Sequence, residues 1–261
     1  VIAQVVLQLV ALLRDGSDEL VLLTWRFMLD QAGYGVTSDI LSHSVSLAQF
    51  LVGGIDEVVG MKNTTITHRP IPTGAAGHYG RGAPEDPKGV VENEDFASML
   101  CRFASGATGT FETSRTTVGP ESQNAFEVYG TKGALAWNFE RVNELEYYRV
   151  GGDVNTGYTT IFGGDRFPFH GAFVPGQANA IGFEDLVAIE DYSFLESLAS
   201  GARYSPGFRE AEVGPGGFGE VFPLLPAELL GVVWFRGLGV DATRGAAPMP
   251  VAALSADRGA C

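Results

Sequence analysis

The chain has 261 residues, which is enough for one large domain or two small ones. Its hydrophobic fraction of 45% and charged fraction of 18% are typical of a globular chain and exclude a disordered one. The formal net charge of -14 argues against nucleic acid or an anionic membrane surface as a partner, because neither attracts an acidic surface.

The cysteine content predicts a reducing environment. Cys101 and Cys261 are too few for a disulfide framework, and their spacing is not that of metal ligands. We therefore assign no metal site, and a cytoplasmic location is the default expectation.

The first apolar stretch, residues 1–13, predicts a buried strand or helix. It is too short to span a bilayer, and it lacks the basic region and cleavage site of a signal peptide. Because the chain does not begin with Met, we expect it to be an internal piece of a longer product or an incomplete record.

Residues 21–27, VLLTWRF, have the composition of a strand. Trp25 and Arg26 near its end form a candidate substrate-binding pair, because arginine binds hydroxyl and carboxylate groups well. The alternative is an aromatic core anchor beside an arginine whose charged end reaches solvent.

Residues 35–52 predict a helix, because apolar residues recur there at three-to-four spacing. Thr37 or Ser38 is the predicted N-cap, so the helix is expected to cover residues 37–52. The pair Gly53–Gly54 supplies the stop.

Asp39 and His43 are four residues apart in this predicted helix, so both side chains leave the same face. The carboxylate can orient one ring nitrogen and leave the other free to exchange a proton with a substrate hydroxyl. The alternative is that Asp39 only complements the helix dipole and His43 is a core histidine.

Residues 55–72 have the Val, Ile and Thr content of a strand. Residues 73–90 are dominated by Gly and Pro and predict a long loop, which is often functional. His78 and Tyr79 in that loop face either a ligand or solvent.

Five strand-like runs follow between residues 92 and 150, joined by tight turns, and predict a largely antiparallel sheet. One face of the second run is polar and is expected to meet water or a wet interface; it carries Thr108, Thr110, Glu112 and Ser114. Residues 184–201 predict a further helix that ends at a glycine.

Several stretches together resemble the C-terminal domain of the Gfo/Idh/MocA oxidoreductases. They are TWRF, SDILSHSVSLAQFLVG, EDFASMLCRFASGATGTFETSRTTVG and FEVYGTKGALAWNFERVNELEYY, and YSFLESLASGARYSPGF resembles the family more weakly. The resemblance is dense over residues 23–150. It implies an α+β domain over residues 1–208, with an open, predominantly antiparallel sheet and helices packed on one face. Residues 209–261 form a divergent tail rich in Gly, Pro and Ala.

The resemblance implies that His43 is the acid/base of the reaction and that Asp39 orients it. A second Asp, which the family often has three residues after the His, is replaced here by Ser46. Substrate binding is assigned to Trp25, Arg26, Arg115 and His170, where His170 lies in a stretch that corresponds to a variable loop of the family.

The family binds NAD or NADP with an N-terminal Rossmann domain, and we expect that domain to be missing from this chain. No Lys-Pro pair of the family motif occurs, and the one G-x-G-x-x-G match, residues 214–219, lacks a surrounding strand–turn–helix. No cofactor-binding residue is therefore assigned.

The resemblance implies the substrate-binding and catalytic half of an NAD(P)-dependent dehydrogenase that acts on a polyol or sugar-like alcohol, as inositol dehydrogenases do. It also implies a homo-oligomer that forms through the sheet face. The alternative is a non-catalytic remnant or oligomerisation module of the same family.

Overall fold

The computed structural model describes residues 6–13, 16–74, 77, 80–151, 157–173 and 179–203. The strands are β1 (Val6–Leu13), β2 (Ile55–Asn63), β3 (His68–Pro70), β4 (Lys88–Val90), β5 (Phe96–Phe103), β6 (Thr108–Ser114), β7 (Ser122–Gly130), β8 (Gly133–Asn138), β9 (Glu144–Arg149) and β10 (Thr159–Phe162). The α-helices are α1 (Leu29–Ala32), α2 (Leu41–Val52), α3 (His170–Phe173) and α4 (Phe183–Ser200), and short 3₁₀ helices cover Trp25–Phe27 and Phe139–Arg141.

Eight strands form one open sheet in the order β10-β9-β8-β7-β1-β6-β5-β2, and β3 pairs with β4 separately. Every neighbouring pair in the large sheet is antiparallel except β1 with β6, which run parallel. Short turns at glycines join β5 to β6 and β7 to β8, and Gly106 adopts a φ of 85°, which favours glycine. The predicted open, predominantly antiparallel α+β fold is confirmed.

The hydrophobic core lies between one face of the sheet and α2, which packs against β1, β6 and β7. Side chains in β5 alternate between the core and the opposite face, as the two-residue period of a strand requires. The buried residues of the core are Leu41, Ala48, Ile55, Met99, Cys101, Phe103, Ala107, Phe111 and Phe126.

The other side of the sheet, which we call the open face, is not covered by α2. Thr108 and Glu112 in β6 are exposed on it, whereas Ser114 at the end of the same strand is buried. Cross-strand pairing places Leu100 opposite Thr110 and Val59 opposite Leu100, so these residues share the open face. The face is therefore partly polar, as predicted, and partly apolar.

Two strand predictions are wrong in detail. Residues 21–27 form no continuous strand: Val21 makes an isolated bridge, and the 3₁₀ helix Trp25–Phe27 follows, with the Phe27 N–H donating to the Thr24 carbonyl. Residues 55–72 form two strands, not one. The Asp95 carboxylate accepts hydrogen bonds from the Thr65 and Ile66 N–H groups and thereby turns the chain between β2 and β3.

The loop predicted at residues 73–90 contains β4 at its end and an isolated bridge between Val21 and Arg81. His78 and Tyr79 lie outside the described residues, as does the whole tail from residue 209.

The helix predicted at residues 184–201 is confirmed as α4, and Gly201 ends it in the left-handed conformation. Unlike α2, α4 has no buried residue, and several of its apolar side chains, among them Leu195 and Leu198, are exposed. Within the described ranges, no helix has both the length and the hydropathy that a membrane span needs.

Candidate active site

A turn, and not a helix, carries Asp39. The Asp39 N–H donates to the Gly35 carbonyl, and the Val36 carbonyl accepts from both Ile40 and Leu41, so α2 begins only at Leu41. The predicted start at residue 37 is wrong, as is the predicted capping by Thr37 or Ser38. Thr37 and Ser38 make other hydrogen bonds. The Thr37 N–H donates to Glu94 Oε1, and the Ser38 hydroxyl donates to the Tyr34 carbonyl. Gly53 ends α2 as predicted.

Two arginines hold the Asp39 carboxylate on the same oxygen. Arg26 Nη1 donates to Asp39 Oδ2 at 2.7 Å, and Arg115 Nη2 donates to the same atom at 2.9 Å. The Arg115 side chain is only 4% exposed, whereas those of Arg26 and Asp39 are 27% and 32% exposed. A carboxylate fixed by two charge-assisted hydrogen bonds has a defined orientation toward its other neighbours.

The 3₁₀ helix Trp25–Phe27 places its three consecutive side chains in different environments. Trp25 is 51% exposed, Phe27 is buried, and Arg26 between them reaches Asp39. Cζ of Arg115 lies 5.6 Å from the centre of the Phe27 ring, and Cζ of Arg69 lies 4.3 Å from it. Phe27 thus supports the buried Arg115 through a cation–π contact.

His43 follows Asp39 by about one helical turn, on the first turn of α2. His43 is exposed to solvent. The protein atoms around its ring nevertheless desolvate the imidazole, and this lowers the pKa of His43 below its ordinary value of 6.5. The negative charge of Asp39 raises the pKa of His43 and offsets part of the effect. A lowered pKa keeps the imidazole neutral at pH 7, and a neutral, accessible imidazole can accept a proton from a substrate hydroxyl.

His170, predicted as a substrate-binding residue, is not brought to Asp39. Its Nδ1 accepts a hydrogen bond from the Gly164 N–H, and its ring meets the Phe167 ring edge-on. His170 follows β10 at one edge of the sheet, whereas Arg115 follows β6, five strands away. At a spacing of about 4.8 Å per strand, the two strands are roughly 24 Å apart.

Four residues that the sequence pattern did not single out join the site together, namely Glu92, Asn93, Glu94 and Asp95. The Asn93 side-chain amide donates to the Arg26 carbonyl, and Glu94 Oε1 accepts from the Thr37 N–H. The available signal was a run of four polar residues directly before β5, with Asn93, Glu94 and Asp95 all buried in the fold.

The described residues hold no group of three or more His, Cys, Asp or Glu side chains that is suited to a metal ion.

The chain is similar in sequence and in fold to known proteins of one family. Residues 8–136 match the model of the GFO/IDH/MocA C-terminal domain. Levoglucosan dehydrogenase of Pseudarthrobacter phenanthrenivorans is 34% identical over 191 residues, which are 72% of this chain and 49% of that protein.

Solved structures of levoglucosan dehydrogenase share the fold. The complex with NADH and L-sorbose has a TM-score of 0.73 at 30% identity, over 81% of this chain and 54% of that chain. The complex with NADH and levoglucosan has a TM-score of 0.72 at 28% identity, over 80% of this chain and 52% of that chain. The present chain thus spans about half the length of these relatives. Across residues 8–136, it belongs to the GFO/IDH/MocA family as a C-terminal domain of that family.

Proposed function

We propose that this chain is the substrate-binding and catalytic half of an NAD-dependent dehydrogenase that acts on a sugar-like alcohol. The observation that carries the proposal is the accessible imidazole of His43 beside an Asp39 carboxylate held by two arginines. Relatives that act on levoglucosan and are solved with NADH and a sugar support the substrate class and favour NAD as the cofactor.

In the proposed reaction, the substrate presents a secondary hydroxyl to His43. The neutral imidazole accepts the hydroxyl proton as the carbon–oxygen bond becomes a carbonyl, and Asp39 stabilises the imidazolium that forms. NAD, when bound, supplies the acceptor for the hydride that leaves the same carbon. The described residues offer no Gly-rich strand–turn–helix that fits a dinucleotide, since no α-helix connects the successive strands from β5 to β9.

Trp25 and Arg26 are the proposed substrate-binding residues. The exposed indole of Trp25 offers a flat apolar surface to the C–H face of a sugar ring, and the Arg26 guanidinium lies 5.3 Å from that indole. Arg26 has N–H groups besides the one given to Asp39, and these can donate to sugar hydroxyls. The burial of Arg115 favours a role in holding Asp39 over direct contact with substrate.

The test supplies the dinucleotide-binding domain of a family member ahead of Val1. Levoglucosan, L-sorbose and myo-inositol are then offered with NAD and with NADP, and formation of the reduced nicotinamide is followed. We expect turnover with a sugar-like alcohol and NAD, and loss of that turnover in a Trp25→Ala variant through a raised KM. A folded chimera that binds NADH and oxidises none of these alcohols contradicts the proposal.

A second proposal concerns assembly: we infer that the open face joins two copies of the chain. Val59, Met61 and Leu100 are 63%, 62% and 59% exposed there, and they lie beside polar residues of β6. A face of mixed character suits a wet interface between subunits. This assembly also supports the alternative function, an oligomerisation module without catalysis. We expect a dimer in light scattering that Leu100→Lys converts to a monomer, and a wild-type monomer at high micromolar concentration contradicts the inference.

A further inference from the structure

The segment Glu92–Asp95, which we call the acidic tetrapeptide, contacts every part of the chain that builds the Asp39 site. Asn93 holds the Arg26 carbonyl through a hydrogen bond of 2.7 Å. Glu94 holds the start of the turn that carries Asp39. The Asp95 carbonyl accepts from the Arg115 N–H at 3.1 Å. Three segments that are distant along the chain therefore meet at this tetrapeptide.

Glu94 makes two contacts to the turn, one from its side chain and one from its backbone. Its Oε1 accepts from the Thr37 N–H at 3.1 Å, and its carbonyl accepts from the Val36 N–H at 3.1 Å. Only a glycine fits at position 35, because a Cβ there would collide with the Glu94 carbonyl. The turn is thus pressed against Glu94 just before the chain reaches Asp39.

The Glu94 carboxylate is buried, with its side chain 2% exposed, and Lys62 is its partner, 3.6 Å from Oε2. Removing a carboxylate from water costs free energy, and this cost is offset only by hydrogen bonds and an opposite charge. A buried carboxylate of this kind, which accepts from the Thr37 N–H next to the proposed catalytic carboxylate, fixes geometry rather than contacting solvent or substrate.

We propose that Glu94 is a positioning residue that sets the orientation of Asp39 toward His43 by anchoring the turn at Val36 and Thr37. This inference rests on the proposed function for its catalytic meaning, but its structural content concerns this chain alone. Without the anchor, the turn shifts against Arg26 and Arg115, and Asp39 no longer holds one fixed relation to the imidazole.

Asp95 provides a matched control next to Glu94. Its carboxylate is also buried and also accepts backbone hydrogen bonds, from the N–H groups of Thr65 and Ile66 at 2.8–2.9 Å. In the described parts of the chain, the Asp95 side chain contacts only that turn between β2 and β3 and not the segments around Asp39. Asp95→Asn removes a comparable charge and weakens backbone hydrogen bonds without touching the proposed anchor.

The experiment is an NMR titration of the 261-residue chain, which has only 4 histidines, so that the imidazole of His43 can be assigned with a His43→Gln variant. In Glu94→Gln the neutral amide oxygen accepts from the Thr37 N–H more weakly than the carboxylate does. We expect the His43 pKa to fall by about half a unit, because Asp39 stabilises the imidazolium less well when its position varies. In Asp95→Asn we expect a change below about 0.2 units, although both variants lower the Tm. Equal shifts in both variants, or no shift in Glu94→Gln, overturn the proposal.

If Glu94→Gln does not fold, Glu94→Asp takes its place. It keeps the charge but shortens the side chain, so that a shift of the His43 pKa reports the lost contact to Thr37 and an unchanged His43 pKa overturns the proposal. In the chimera with a dinucleotide-binding domain, Glu94→Gln is expected to lower kcat about 10-fold or more at an unchanged KM for the cofactor. A chimera that is inactive in all forms contradicts the proposed function, while the titration still decides the role of Glu94.

Discussion

The site around Asp39 and the loop that carries His170 differ in how far along the chain their contacts reach. Asp39 is held by Arg115, 76 residues away, and its turn is held by Glu94, 57 residues from Thr37. The ring nitrogen of His170 is held by Gly164, only 6 residues away. Contacts from distant segments fix a side chain relative to the whole sheet, whereas local contacts fix it only relative to its own loop. A catalytic side chain has to be held in one position relative to the substrate, and contacts from distant segments provide this.

The largest difference between the two regions is expected when each histidine is replaced in turn in the chimera with a dinucleotide-binding domain. We expect His43→Ala to lower kcat by about 10²–10⁴-fold, the usual contribution of a positioned acid/base, and cofactor binding to remain nearly unchanged. His170→Ala is the control and should leave kcat within about twofold, because a surface change away from the reacting atoms is close to neutral.

Melting curves accompany both histidine variants, so that lost activity can be separated from lost folded protein. If His43→Ala lowers the Tm but keeps full activity per folded molecule, His43 is a core residue and not the acid/base. If His170→Ala lowers kcat more than His43→Ala does, the assignment of the active site to Asp39 and His43 is wrong.

Replacing Asp39 tests how much the carboxylate contributes beside His43. Asp39→Asn is expected to lower kcat about 10–100-fold, because an amide holds the imidazole less well and does not stabilise its charged form. The negative charge of Asp39 raises the pKa of His43, so the pKa of His43 should fall further in this variant. NMR titration of the chain measures the shift, and a raised pKa would contradict the arrangement.

The two arginines on Asp39 Oδ2 should contribute unequally to stability. Arg115→Gln is expected to lower the free energy of unfolding by about 1–3 kcal/mol, because it removes a charged hydrogen bond and leaves a buried site unfilled. Arg26→Gln should cost less than about 1 kcal/mol, since that ion pair is partly exposed and screened by water. Urea unfolding of both variants measures the difference, and equal losses would show that burial of Arg115 does not matter.

The smallest expected effect is the pH dependence of stability that His43 causes. Burial lowers the pKa of His43 in the folded chain below 6.5, so the folded chain binds this proton less tightly than the unfolded chain. The contribution to stability is therefore fully present above pH 6.5 and is lost as the pH falls toward the folded pKa. Tm measured across this range should fall more steeply in the wild type than in His43→Gln, and parallel curves would contradict the lowered pKa.

Local sequence patterns are enough to predict the sheet and the main helix. Alternation of apolar and polar residues in β5 and β6, with Gly106 in the turn between them, is a local property that predicts a hairpin. The apolar spacing of α2 and its stop at Gly53 are equally local. The spacing of Asp39 and His43 also indicated the candidate pair, because residues four apart stay close in a turn or in a helix.

The way that pair is held depends on contacts between distant parts of the chain. Glu94 takes the Thr37 N–H, so the chain forms a turn at Asp39 instead of starting the helix at residue 37. Arg115 reaches Asp39 only because β6 ends beside the turn, and the parallel pairing of β1 with β6 has no signal in either strand alone. A hydrogen bond between distant residues depends on the path of the whole chain between them, and no local pattern encodes that path.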